Sequence, residues 1–212
     1  MTKLNLSARW MSLWLAFTAL LSGCAPATAP TTSPTPTQQG IVRPLQSPIQ
    51  INDFTLTNQD GQTVTFAALH DKPLLMFFGF THCPDVCPIT LANMRNVRQE
   101  LGEQADAVKM VFVSVDGKRD TPEVLAKHLA LYDADFIGLT GPEDVVRVVT
   151  QQFGVQFRAE EPRPDGSYNI THTASTFLVD TEGKLRTIYS YGTDPDLPKV
   201  VAADIRNFLA GQ

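Results

Sequence analysis

A continuous apolar run, Leu74 to Phe80, and a second stretch, Val108 to Val115, apolar but for Lys109 and Ser114, interrupt an otherwise mixed pattern, as strands buried on both faces should. The first follows Lys72-Pro73 and leads to a helix from about Pro88, whose missing N–H costs nothing in a first turn and whose inner face is marked by Met94, Val97 and Leu101. After the second run, Thr121-Pro122-Glu123 supplies a capping residue followed by Pro at the first helical position, so another helix starts there. Phe136 to Leu139 predicts a short strand, and Gly141-Pro142-Glu143-Asp144 opens a helix running to about Phe153. Two stretches alternate around turn residues. Phe54 to Thr57 and Gln62 to Phe66 flank Asn58-Gln59-Asp60-Gly61, and Phe177 to Val179 and Leu185 to Tyr189 flank Asp180-Thr181-Glu182-Gly183, so each pair is expected as a β-hairpin. Leu197 to Leu209 closes the chain as a helix.

The order βαβα, then hairpin, then helix, with cysteines after the first central strand, predicts an α/β fold of the thioredoxin-like sandwich type carrying an N-terminal β-hairpin extension. The N-terminal pattern is different. Lys3 and Arg9 precede an apolar run from Trp10 to Leu21, about a dozen residues against the roughly 20 that a membrane span requires. Leu21-Ser22-Gly23-Cys24 then resembles a bacterial lipobox, which implies a signal peptide over 1–23 and lipidation of Cys24. From Ala25 to Gly40 the chain has no charge and is nearly all Ala, Pro, Thr, Ser and Gln, a composition that cannot repay the entropy of ordering. Residues 24–45 are accordingly expected as the anchor and a tether, and 46–212 as one domain. Polyproline-like at about 3.1 Å per residue, such a tether reaches roughly 50 Å. The protein is thus placed at the extracytoplasmic face of the cell membrane, held by lipid. Its formal charge of −5 becomes −7 once Lys3 and Arg9 leave with the signal, which argues against nucleic acid and for protein or cation partners.

The mature chain keeps two thiols, Cys83 and Cys87, in Cys83-Pro84-Asp85-Val86-Cys87-Pro88. Placed one helical turn apart, they lie about 5 to 6 Å from one another at Cβ, suited to a disulfide or to a soft metal ion. A disulfide closing so short a loop contributes only roughly 2 kcal/mol, a weak structural reason for the pair. Cys87 is expected at a helix N-terminus, where the dipole and free N–H groups favour a thiolate. His172 precedes the Phe177 strand, in a loop that faces the cysteine turn in a thioredoxin-like sheet. Two thiolates select Cu(I), and an added imidazole accommodates Cu(II), whereas a structural zinc site takes four protein ligands.

Gly79-Phe80-Thr81-His82-Cys83-Pro84-Asp85-Val86-Cys87-Pro88, Val113-Ser114-Val115-Asp116 with Arg119-Asp120-Thr121-Pro122, and His172 ahead of Phe177-Leu178-Val179-Asp180 together resemble the Sco/SenC family of membrane-tethered copper proteins, from about Ile51 to Leu209. The resemblance implies a thioredoxin-like fold, copper held by Cys83, Cys87 and His172, and a part in assembling the dinuclear copper centre of cytochrome c oxidase subunit II, or of a related copper acceptor. It departs at Thr171, where many members carry an acidic residue. His82 is expected to face solvent beside the site, His70 and His128 to be surface positions, Asp85 to be exposed, and Asp116 and Asp120 to cap loops. The alternative is an extracytoplasmic thiol-disulfide oxidoreductase acting through Cys83 and Cys87. Redox thioredoxins space their cysteines by two residues opposite a cis-proline, whereas three residues intervene here and Ala174-Ser175-Thr176 occupies the proline's segment. Both differences favour metal.

Overall fold

The computed structural model describes residues 42–211, so the signal, Cys24 and the tether to residue 41 lie outside the described residues. The strands are β1 (Val42–Gln50), β2 (Thr55–Asn58), β3 (Thr63–Thr65), β4 (Leu74–Gly79), β5 (Lys109–Ser114), β6 (Ile137–Thr140), β7 (Phe157–Ala159), β8 (Ile170–His172), β9 (Thr176–Val179) and β10 (Lys184–Tyr189). The helices are α1 (Phe66–Leu69), α2 (Val86–Leu101), α3 (Pro122–Leu129), α4 (Glu143–Gln152) and α5 (Leu197–Ala210), with a 3₁₀ segment at Gly102–Ala107. None is long and apolar enough to cross a membrane.

Eight strands form one sheet in the order β1-β10-β9-β4-β5-β6-β2-β3, and β7 and β8 form a separate two-stranded sheet. β4 and β5 are its parallel centre, in register from Leu74↔Lys109 to Gly79↔Ser114. Their side chains alternate between faces. Phe77 meets Phe112 on the face covered by α2, while Phe78 packs on Phe153 and Phe177 on the other. All six β4 residues are buried, which is why the run carries no polar position. α3 is capped as expected, Thr121 Oγ1 accepting from Val124 N with Pro122 in the first turn. The result is the thioredoxin-like α/β sandwich anticipated from the element order.

Three details differ from the sequence reading. β1 starts at Val42, so the sheet takes in residues 42–45 of the stretch assigned to the tether. α2 starts at Val86 rather than Pro88, with Asp85 as N-cap, so Cys83 lies in the turn before the helix and not on its first turn with Cys87. The β7–β8 pair was not expected at all.

Candidate metal centre

β4 ends at Gly79, where Val115 N donates to the Gly79 carbonyl at 2.8 Å and keeps the strand beside β5 to its last residue. The chain then turns through Phe80, Thr81 and His82, and Cys83 N donates to the Phe80 carbonyl at 3.3 Å. Pro84 and Asp85 are exposed, as expected for Asp85, and the Asp85 side chain makes no capping hydrogen bond. Cys87 is fully enclosed at 0% exposure and Cys83 is at 9%, and both are free thiols. Cys83 is therefore the more accessible of the two cysteines.

His172 ends β8 and lies half-buried, its Nε2 3.3 Å from Cys87 Sγ. Its Nδ1 sits 3.0 Å from the Thr173 carbonyl. That carbonyl accepts only from an N–H, so the network assigns the ring proton to Nδ1 and leaves the Nε2 lone pair directed at the sulfur. The two Sγ atoms and an imidazole nitrogen of this trio all fall within 4.8 Å of one another, and among the described residues they are the only such group of three or more His, Cys, Asp or Glu side chains. Two sulfurs and one nitrogen, without a fourth protein ligand, suit copper better than structural zinc.

Burial dominates the protonation of the site. It pushes the Cys87 thiol well above its ordinary range, with the Cys83 and Asp120 side chains adding to the rise and a hydrogen bond with the Phe80 backbone opposing it. The thiolate expected from the helix N-terminus is thus outweighed by desolvation. Burial likewise holds His172 below 6.5, against the Thr173 carbonyl, which favours the charged ring. His128 is depressed for the same reason. Below 6.5 the unfolded chain binds protons on both histidines that the fold resists, so metal-free stability falls as pH drops from neutral through that value. Melting curves from pH 7.5 to pH 5.5 should show this decline, with a shallower slope in His128→Gln and in His172→Gln. Slopes unchanged in both variants would place the acid sensitivity elsewhere.

The other flagged residues sort as follows. His82 stays outside the group formed by Cys83, Cys87 and His172: it is half-exposed, with Nδ1 3.1 Å from Thr81 Oγ1 and 3.8 Å from Asp120 Oδ1. His128 is not a surface residue, being half-buried with its ring 5.6 Å from that of Tyr132. His70 is also half-buried, its ring tilted against that of Phe66 and its Nδ1 3.0 Å from the Thr181 carbonyl. Asp120 is more than a loop cap. Entirely buried, it accepts from Thr81 N at 3.0 Å, Thr81 Oγ1 at 2.6 Å and Ser114 Oγ at 2.6 Å. Asp116, also buried, takes the Tyr168 hydroxyl at 2.8 Å and pairs with Arg119. No cis peptide bond occurs among the described residues, so the Ala174-Ser175-Thr176 segment follows the trans backbone its sequence suggests. Tyr168 went unmarked in the sequence because nothing local links it to residues some fifty positions earlier.

Residues 43–210 match the family described as SCO1/SenC. The SCO2-like protein of Rickettsia felis is 34% identical over 160 residues, 75% of this chain and 75% of that one. The chain spans 64% to 75% of the length of the Rickettsia relatives it matches. Among solved structures, Bradyrhizobium japonicum ScoI with copper bound is 37% identical with a TM-score of 0.66, covering 74% of this chain and 98% of ScoI. BsSco, described as having a disulfide switch and as a member of the Sco family of cytochrome c oxidase assembly proteins, is 27% identical with a TM-score of 0.60, covering 78% of this chain and 95% of BsSco. The chain belongs to the SCO1/SenC family.

Proposed function

Starting from that membership, we propose that this protein is a membrane-anchored copper-binding protein that delivers copper to the dinuclear copper site of cytochrome c oxidase subunit II, reduces that site's cysteines, or does both. The observation that carries the reading is the convergence of Cys83, Cys87 and His172 within 4.8 Å. Their donor set fits copper: two buried thiols supply soft sulfur, and His172 offers an unprotonated Nε2. Copper bound there is cargo, and it supplies no reaction of its own in this role. The chain's part is to surrender two thiol protons when the metal binds, to hold the imidazole in one tautomer through Thr173, and to exclude water from Cys87. Copper-bound ScoI supports the assignment by likeness.

The second reading has its own support, since both thiols are free and their sulfurs lie within 4.8 Å of one another. In the reducing role Cys83 attacks a target disulfide as the thiolate, Cys87 then displaces the target sulfur, and a Cys83–Cys87 disulfide is left as the target gains two electrons and two protons. The lipid anchor at Cys24 would confine either task to the outer face of the cell membrane, within tether reach of an oxidase.

Deleting the protein should lower assembly of the copper-containing oxidase, and copper added to the medium should at least partly restore it when delivery is the task, because abundant metal replaces a carrier by mass action. Oxidase activity and copper content of isolated membranes are the measurements. Rescue by a small thiol reductant but not by copper would move the assignment to cysteine reduction. An intact oxidase in the deletion strain would refute both.

A further inference from the structure

We infer that the segment Ser114–Asp120, which contributes no ligand, brackets the two halves of the metal centre: Asp120 positions the Cys83 turn, while Arg119 and Asp116 position His172 by gripping Tyr168. The inference rests on the copper reading for its functional meaning. Its structural basis stands on separate contacts.

His172 needs such a grip because of where it sits. The β7–β8 pair shares no strand ladder with the main sheet, so no sheet hydrogen bonds fix the distance from His172 to the thiols. Phe157 and Ile170 bury their side chains, but apolar packing is non-directional and fixes a position less sharply than hydrogen bonds do. Two arginines supply directional ties: Arg147 holds β7, its Nη1 donating to the Phe157 carbonyl at 3.4 Å and its guanidinium lying 4.3 Å from the centre of the Phe157 ring, and Arg119 holds the approach to β8. Arg119 Nη1 donates to the Tyr168 carbonyl at 2.9 Å, its guanidinium lies 3.7 Å from the centre of the Tyr168 ring, and its Nε pairs with Asp116. Asp116 closes the loop by accepting the Tyr168 hydroxyl at 2.8 Å. Nη2 is buried with no partner, so every hydrogen bond the guanidinium makes goes into this bracket. Tyr168 lies two residues before β8, whose third residue is His172.

The other arm is equally direct. Ser114 is the last residue of β5, and its hydroxyl donates to Asp120 while accepting from Asp116 N at 3.0 Å. Asp120 in turn holds both the amide and the hydroxyl of Thr81, two residues before Cys83. One short, internally bonded loop therefore reaches the thiol turn on one side and the imidazole strand on the other.

The two arms predict separable effects, measured on the full chain purified in detergent. In metal-free protein, Arg119→Lys and Tyr168→Phe should shift the His172 ring resonances and leave the Cys83 amide in place, whereas Asp120→Asn should do the reverse. With copper, the first two should lower Cu(II) affinity about tenfold and Cu(I) affinity less than about threefold, because a hydrogen bond that holds Tyr168, four residues before His172, is lost and the thiol pair is kept. Asp120→Asn should lower Cu(I) affinity about tenfold. If that variant does not fold, Thr81→Ala removes one of the same hydrogen bonds and carries the test. Equal losses for both oxidation states in Arg119→Lys and Tyr168→Phe, or unmoved His172 resonances, would overturn the bracket. A wild-type chain that binds no copper overturns the proposed function instead, and the metal-free resonances still decide the bracket.

Discussion

Cys87→Ser lowers Cu(I) affinity by more than about a hundredfold, the upper end of what loss of a mere outer-shell partner costs a metal site. The expectation follows from enclosure. Cys87 is at 0% exposure, so no water replaces the lost sulfur, and the serine hydroxyl, a hard donor, hydrogen-bonds to His172 Nε2 and engages the nitrogen as well. Cys83→Ser should fall comparably. His172→Ala should differ in kind: two thiolates satisfy Cu(I), so its affinity falls less than about tenfold, while the thiolate-to-Cu(II) absorption band is lost. Competition with a Cu(I) chelator and absorption spectra of the Cu(II) form give both quantities. Unchanged Cu(I) affinity in Cys87→Ser would remove the site from these residues, and equal losses for both oxidation states in His172→Ala would remove the histidine's separate role.

The parts legible in the sequence are those whose burial is written in local composition. Leu74 to Phe80 had to be a central strand because no polar residue interrupts it, and Thr121-Pro122 had to start a helix because cap and ring geometry act within one turn. The start of β1 reads as tether for the opposite reason. Most of its side chains are exposed, and it is held by backbone pairing such as Val42↔Tyr189 and Ile49↔Leu185, which hydrophobic periodicity does not register. The β7–β8 pair is short, and Arg158, Ala159 and Thr171 are exposed, so its pattern is too brief to read. At the site, the grouping of Cys83, Cys87 and His172 was visible from residue types and spacing, but its electrostatics were not. A helix N-terminus is a local feature, whereas the packing that makes Cys87 a neutral thiol comes from β4 and β5. Asp120 reads as one more loop carboxylate until the fold brings Thr81, 39 positions away, onto it.

The same reasoning gives a large effect at a residue with no functional group. A Cβ added at Gly79 would lie 2.8 Å from Cys87 Sγ, 2.9 Å from the Phe77 ring and 3.0 Å from the Phe112 ring, all of them buried. Gly→Ala ordinarily stabilises by about 0.4 to 1 kcal/mol through the unfolded chain. Overpacking a filled core costs about 1 to 3 kcal/mol, so the clash wins, and the melting temperature of Gly79→Ala should drop by about 5 °C. The nearest atom is the sulfur of Cys87, one of the proposed copper ligands. Cu(I) affinity should therefore fall too, by about tenfold, as Sγ is pushed off the position that faces His172 Nε2. A double-mutant cycle isolates the contact: with Cys87→Ala already in place, adding Gly79→Ala should cost less by at least about 0.5 kcal/mol, the signature of residues in contact. An identical cost with and without the sulfur would assign the strain to the two phenylalanine rings alone, and Gly79 would then serve the core and not the metal centre.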